Sequence, residues 1–170
     1  MPRRHLYSLT GFDGRWAERL PPDTLAVRTL GETDADDIAH LMLRAYAGTI
    51  DDEGSVIEDA RLDVAQFFSG TWGPPIPEAC VGHERDGELV AACLLCDWNE
   101  ARAEVAGPLV AFILVAPTCK GQGLGRGIAS AALHRLAALK RGRVHAFITE
   151  GNVPSERVFA ALGFKREDRP

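Results

Sequence analysis

Lys120-Gly121-Gln122-Gly123-Leu124-Gly125-Arg126-Gly127 is the stretch on which the reading of this 170-residue chain turns. It follows an unbroken apolar run, residues 108–116, which Pro117 closes. A run of that length and composition reads as a central strand buried on both faces. It leads into residues 126–140, where Ala and Leu recur at helical spacing before Lys140, Arg141 and Gly142, the basic last turn and terminal glycine of a helix. A glycine-rich turn between a buried strand and a helix offers a phosphate free backbone N–H groups and the positive end of the helix dipole.

Outward from the loop, residues 143–149 read as the next strand, and residues 154–162 as a helix with Asn152 as cap, Pro154 in its first turn and Gly163 at its stop. On the other side, residues 78–83 and 88–96 flank Arg85-Asp86-Gly87, a hairpin signal. Three prolines exclude residues 72–77 from helix and central strand. Residues 24–30 read as a strand. Thr33 or Asp34 then caps a helix whose Ile38, Leu41, Met42 and Ala45 share a face, and a second helix runs around residues 60–68 to Gly70. Residues 1–22 read as an N-terminal extension, with Leu6, Tyr7, Leu9 and Phe12 suited to a short strand or packed arm; the domain proper covers residues 23–170.

Composition sets the outer limits. With 46% apolar and 25% charged residues, the chain has the makeup of one soluble globular domain, not of a disordered or disulfide-stapled chain. Nineteen Lys and Arg against 24 Asp and Glu leave a net charge of −5 and no basic stripe, which argues against a nucleic-acid partner. The charged start lacks an apolar signal core and no window is apolar enough to span a bilayer, so a cytoplasmic protein without a membrane partner is expected. Cys93 and Cys96 stand three apart on a strand, which turns their thiols to opposite faces; Cys80, Cys93, Cys96 and Cys119 therefore do not read as a zinc or disulfide set.

The glycine loop fits neither common nucleotide motif. No Gly-Lys-Ser/Thr follows for a P-loop, and Gly-x-Gly-x-x-Gly fails at Arg126 in one register and Ile128 in the other. The block instead resembles the acyl-CoA signature of the GCN5-related N-acetyltransferase (GNAT) family, Arg/Gln-x-x-Gly-x-Gly/Ala, with Val115 and Pro117 matching the Val-x-Pro before it. Asn152-Val-Pro-Ser-Glu-Arg-Val-Phe-Ala-Ala-Leu-Gly-Phe164 is similar to the family's Asn-x-x-Ala/Ser…Leu-Gly-Phe helix, and the elements read over residues 24–164 follow the family's order.

The resemblance implies an α/β protein of the α+β kind: a mixed, mostly antiparallel central sheet with flanking helices, the acyl-CoA N-acyltransferase fold. It implies an enzyme that moves acetyl from acetyl-CoA to a primary amine of a small molecule or peptide by direct attack. The pyrophosphate would lie on Lys120, Gly121, Gln122, Gly123, Leu124, Gly125 and Arg126. Pantetheine would pair with the backbone of Ile113, Leu114 and Val115, and Asn152 and Ser155 would hold the arm near the thiol. An N–H near Leu114 or Val115 would polarise the thioester carbonyl. The alternative is an acyl-CoA-binding module or sensor with little turnover; another nucleotide-binding protein is the third reading.

Against the family pattern, Phe159 stands where a thiol-protonating tyrosine is frequent, and Phe147 where some members place a glutamate base. Catalytic residues are therefore left unassigned. Glu150, His145, Asp51 and Asp52 are the candidate bases, each weighed against a solvated surface role. Tyr46, Thr49, Asp51, Asp52 and Glu53 fall where the family builds its acceptor pocket, as an anionic rim or as a plain solvated loop. Trp72 walls that pocket or packs over a loop. His40, His83 and His134 read as surface residues and Cys119 as a passive loop residue. Only residues 165–170 follow Phe164, too few for the family's closing pair of strands. That truncated end leaves an edge for residues 6–10 or for a second subunit in a homodimer.

Overall fold

The computed structural model describes residues 3–11, 15–99 and 106–167. Among them lie strands β1 (Arg4–Thr10), β2 (Arg28–Thr29), β3 (Val81–Arg85), β4 (Glu88–Trp98), β5 (Gly107–Val115), β6 (Arg143–Thr149) and β7 (Lys165–Arg166), and helices α1 (Ala35–Tyr46), α2 (Ile57–Phe68), α3 (Leu124–Ala138) and α4 (Val153–Ala161). All seven strands form one sheet in the order β2-β3-β4-β5-β6-β1-β7. Each neighbouring pair is antiparallel except β5 and β6, so the sheet is mixed and mostly antiparallel with flanking helices, as the sequence led us to expect.

Local chemistry explains most boundaries. On α1, Ile38, Leu41, Met42 and Ala45 are buried on one face, and the Asp34 carboxylate accepts the N–H of Gly31 at 2.9 Å ahead of the helix. Asp59 accepts the N–H of Val56 at 2.9 Å, which starts α2 three residues before the expected Ala60. Asp86 and Gly87 both take positive φ, 52° and 80°, as a tight hairpin between β3 and β4 requires. On β5, Ala111 has no partner across the ladder, because Leu94 faces Phe112 while Leu95 faces Val110. This bulge turns the strand's alternation over within one residue.

Two expectations need correction, and two hold with contacts the sequence did not disclose. The strand over residues 24–30 shrinks to Arg28–Thr29, because the imidazole of His83 takes the Ala26 carbonyl at 2.7 Å and the segment before it runs along α3, with Leu25 beside Gly127. His83 and His134 are partly exposed, as read, and also act as tethers: His134 Nε2 and the Ser130 hydroxyl both hold the Pro21 carbonyl, at 2.9 and 2.8 Å. Residues 72–76 form neither helix nor strand, as expected, yet they lie against the sheet, where Pro75 makes an isolated bridge to Cys96 and Ile76 N–H donates to Leu95 O at 2.9 Å. Finally, β5 is not buried on both faces throughout; Ala111, Phe112, Ile113 and Val115 are half-buried.

The segment read as an extension supplies β1, which pairs with β6 along all seven of its residues and with β7 at Tyr7 and Ser8. Leu6 and Leu9 are buried there; Phe12 lies outside the described residues. Phe112 packs on Phe67 of α2, and Val115 lies beside Gly125 of α3. Those two β5 residues are an odd number apart and point to opposite faces, so α1 and α2 cover one face of the sheet and α3 and α4 the other.

Candidate active site

The site begins where two strands part. β5 and β6 pair only at Leu109 with His145 and Val110 with Ala146, yet β5 runs on to Val115 and β6 to Thr149. Past the apex, β5 keeps its β4 partner, with the ladder continuing to Val115 and Ala116 N–H donating to Val90 O at 2.8 Å. Its other edge, over residues 111–115, has no strand beside it among the described residues. Ile113, Leu114 and Val115 all lie on this open prong, with Leu114 buried and the other two half-buried.

Beyond the prong, the chain turns through Lys120, Gly121, Gln122 and Gly123 into α3. Gly121 and Gly123 sit at φ 77° and 78° with open space where a Cβ would be, a conformation that glycine alone adopts without strain. The first hydrogen bond inside the helix runs from Gly127 N to Gly123 O at 3.0 Å, so the N–H groups of Leu124, Gly125 and Arg126 have no carbonyl within the helix. A Cβ on Gly125 would lie 3.5 Å from Val158 and 3.7 Å from Val115; anything larger would fill the space between β5 and α4. These features fit a phosphate-bearing ligand whose narrower arm lies along β5.

Two loop side chains are already engaged. Lys120 Nζ donates to Ala45 O at 2.9 Å, tying the loop to the last turn of α1, where a cation is favoured. Gln122 donates to Thr118 O at 3.2 Å and accepts from Arg85 of β3 at 2.8 Å. Nothing in the sequence around Arg85 pointed to that contact.

On the α1–α2 face, Asp51 bridges to the mouth of the fork. One carboxylate oxygen accepts the Thr149 hydroxyl at 2.6 Å and the other accepts Asn152 Nδ2 at 2.7 Å. Asn152 Oδ1 also caps α4 by accepting Ser155 N–H at 3.1 Å. Asn152 and Ser155 therefore stand together at the fork, with Asp51 as their third member. Burial, and then the charge of Asp51, pushes the Tyr46 hydroxyl above its ordinary value and keeps it protonated. Asp52 faces solvent and accepts the N–H groups of Gly48 and Gly54, which lower its pKa.

The other candidates divide sharply. His145, weighed earlier as a surface group, is fully buried at the apex, its Nδ1 2.8 Å from Ser8 Oγ. Glu150 is exposed and lies 3.6 Å from His5 Nε2. Phe159 is buried edge-on against Phe164, with centroids 4.9 Å apart. Phe147 is 40% exposed on the α1–α2 face and meets Trp98 edge-on at 5.1 Å, while Trp72 meets Phe112 at 5.7 Å. The four cysteines are free and buried.

The sequence model of the acetyltransferase (GNAT) family matches residues 39–164. The mycothiol acetyltransferase of Thermomonospora curvata is 30% identical over 147 residues, which cover 85% of this chain and 46% of that protein. This chain spans about half the length of the curated relatives it matches. A GCN5-related N-acetyltransferase from Sphaerobacter thermophilus superposes with a TM-score of 0.67 at 14% identity, covering 98% of this chain and 50% of that one. AAC(6′)-Iy, in complex with the bisubstrate analogue CoA-S-monomethyl-acetylneamine, does so with a TM-score of 0.60 at 14% identity, covering 85% of this chain and 93% of that one. At such identities the structural likeness speaks for the fold alone.

Proposed function

The chain belongs to the acetyltransferase (GNAT) family, and from that premise we propose that it transfers the acetyl group of acetyl-CoA to a primary amine of a small molecule or peptide. The observation that carries the reading is the fork: paired strands at Val110 and Ala146, then an open edge of β5 leading directly to the glycine turn and α3. A pantetheine arm contains two amides and pairs with such an edge as a strand would. Residues 113–115 take the arm in this proposal, and residues 120–126 the pyrophosphate. Asn152 and Ser155 hold the thiol end.

Bound acetyl-CoA supplies a thioester carbon open to nucleophiles. A neutral amine attacks it, the new C–N bond forms as the C–S bond breaks, and the proton lost by nitrogen reaches the departing thiolate through solvent. The protein's part is to attract the amine, strip its proton and orient it. Asp51 suits the first role, since each carboxylate oxygen keeps a lone pair beyond the hydrogen bond it accepts. Phe159 has no proton to give, so this member works without the tyrosine often found there.

The test is release of free CoA thiol, followed with a thiol reagent at saturating acetyl-CoA across a panel of primary amines. The proposal expects release that depends on the amine and saturates with it. Tight acetyl-CoA binding with the same slow release in every case would favour the acyl-CoA-binding module instead. Burial pushes the Cys80 thiol up to about 11 and the Cys96 thiol up to about 12, which keeps both silent toward the reagent in the folded protein.

A further inference from the structure

We infer that the acceptor is a primary amine carrying an aromatic or comparably flat apolar group, bound with its ammonium toward Asp51 and its ring against Phe147. The inference rests on the transfer reading above and names its substrate class.

Phe147 is the anomaly that leads to it. His145 and Thr149, its neighbours on the same face of β6, are both buried, yet Phe147 is 40% exposed. An aromatic side chain two-fifths exposed on the inner prong of a cleft forgoes part of the burial that normally stabilises it, and it regains that part when a ligand covers it. The ring is also held rather than loose, since Trp98 meets it edge-on at 5.1 Å and an interplanar angle of 89°. On the opposite prong, Phe112 is half-buried and edge-on to Trp72. Both prongs thus turn aromatic surface toward the α1–α2 face.

Charge completes the match. Thr149 is two residues along β6 from Phe147 and on the same face, a separation of about 7 Å. Its hydroxyl holds Asp51, so an anion and an exposed ring stand about one strand repeat apart. A cationic amine on a short linker to a ring satisfies both at once. A polyhydroxylated amine places hydroxyls against rings that cannot pair with them, and each unpaired hydroxyl costs affinity.

The experiment compares 2-phenylethylamine with 2-aminoethanol, by kcat/KM for acetyl transfer and by calorimetric binding to the CoA-loaded protein. The expected result is a preference of about tenfold or more for 2-phenylethylamine, the size of an aromatic contact plus its burial. Phe147→Ser should erase most of that preference, and Asp51→Asn should weaken both amines together. A parallel acetyl-CoA titration of each variant confirms that its cofactor site is intact. Equal use of the two amines, or preference for 2-aminoethanol, would overturn the inference while leaving amine acetylation standing. Selective binding of 2-phenylethylamine without turnover would keep the subsite and overturn the transfer reading. Binding of neither amine would overturn the inference.

Discussion

Glu167 takes part in a small, partly buried network that no motif announced. Its carboxylate accepts from the Ser8 hydroxyl and from Arg143 at 2.6 Å, and Ser8 Oγ lies 2.8 Å from His145 Nδ1. Ser8 has one proton, which goes to the carboxylate, so in this contact His145 Nδ1–H donates to Ser8 Oγ. Burial alone would raise the Glu167 pKa, but the hydroxyl of Ser8 and the guanidinium of Arg143 outweigh it and hold the carboxyl below its ordinary value. A depressed carboxylate stabilises the fold above the unfolded pKa, and that contribution is lost as pH falls through the lower folded value. Glu167→Gln should therefore be less stable than the wild type at pH 7, with the gap closing as pH drops below the ordinary value of 4.5. Urea midpoints measured from pH 7 to pH 3 check this, and a gap unchanged across the range would contradict it. The sequence offered His145 as a candidate base or surface group because its partner Ser8 is 137 residues away, beyond the reach of any local pattern. Asp51 and Thr149 are likewise 98 residues apart, and only the folded sheet brings them together.

Elements with strong local signals were legible before the fold was known. The α1 stripe, the Asp86-Gly87 hairpin, β6 and the Asn152 cap each carry their instructions within a dozen residues. β2 and the half-exposed length of β5 were not legible, because they depend on what lies beside them: a histidine capturing the Ala26 carbonyl, and the absence of β6 past the apex. β1 stands between these cases. Its apolar residues suggested a strand or arm, but its place between β6 and β7 depends on pairing with the far end of the chain. That placement predicts a cost for removing residues 1–10. Loss of the buried Leu6 and Leu9 alone should reduce stability by at least ~4 kcal/mol. It should also bare an edge of β6 and promote self-association. Urea unfolding and sedimentation of the truncated protein test both; a monomer of undiminished stability would show that β1 is dispensable.

At the scale of the molecule, two different surfaces meet at one opening. The glycine turn, α3 and α4 lie on one face of the sheet; Asp51 and the aromatic side chains lie on the other, and the gap between β5 and β6 joins them. That arrangement suits a reaction between two ligands arriving from opposite sides, each held without blocking the other. The claim beneath all of this is that the fork and glycine turn hold acetyl-CoA. Isothermal titration of acetyl-CoA into the wild type and into Gly125→Leu tests it most directly. Gly125 lies in the helix without positive φ, and a leucine there projects between Val115 and Val158 without straining the backbone. Micromolar binding by the wild type is expected, weakened about 30-fold or more in the variant, a loss of ~2 kcal/mol. Equal affinity in the two proteins, or no binding by the wild type, would contradict it.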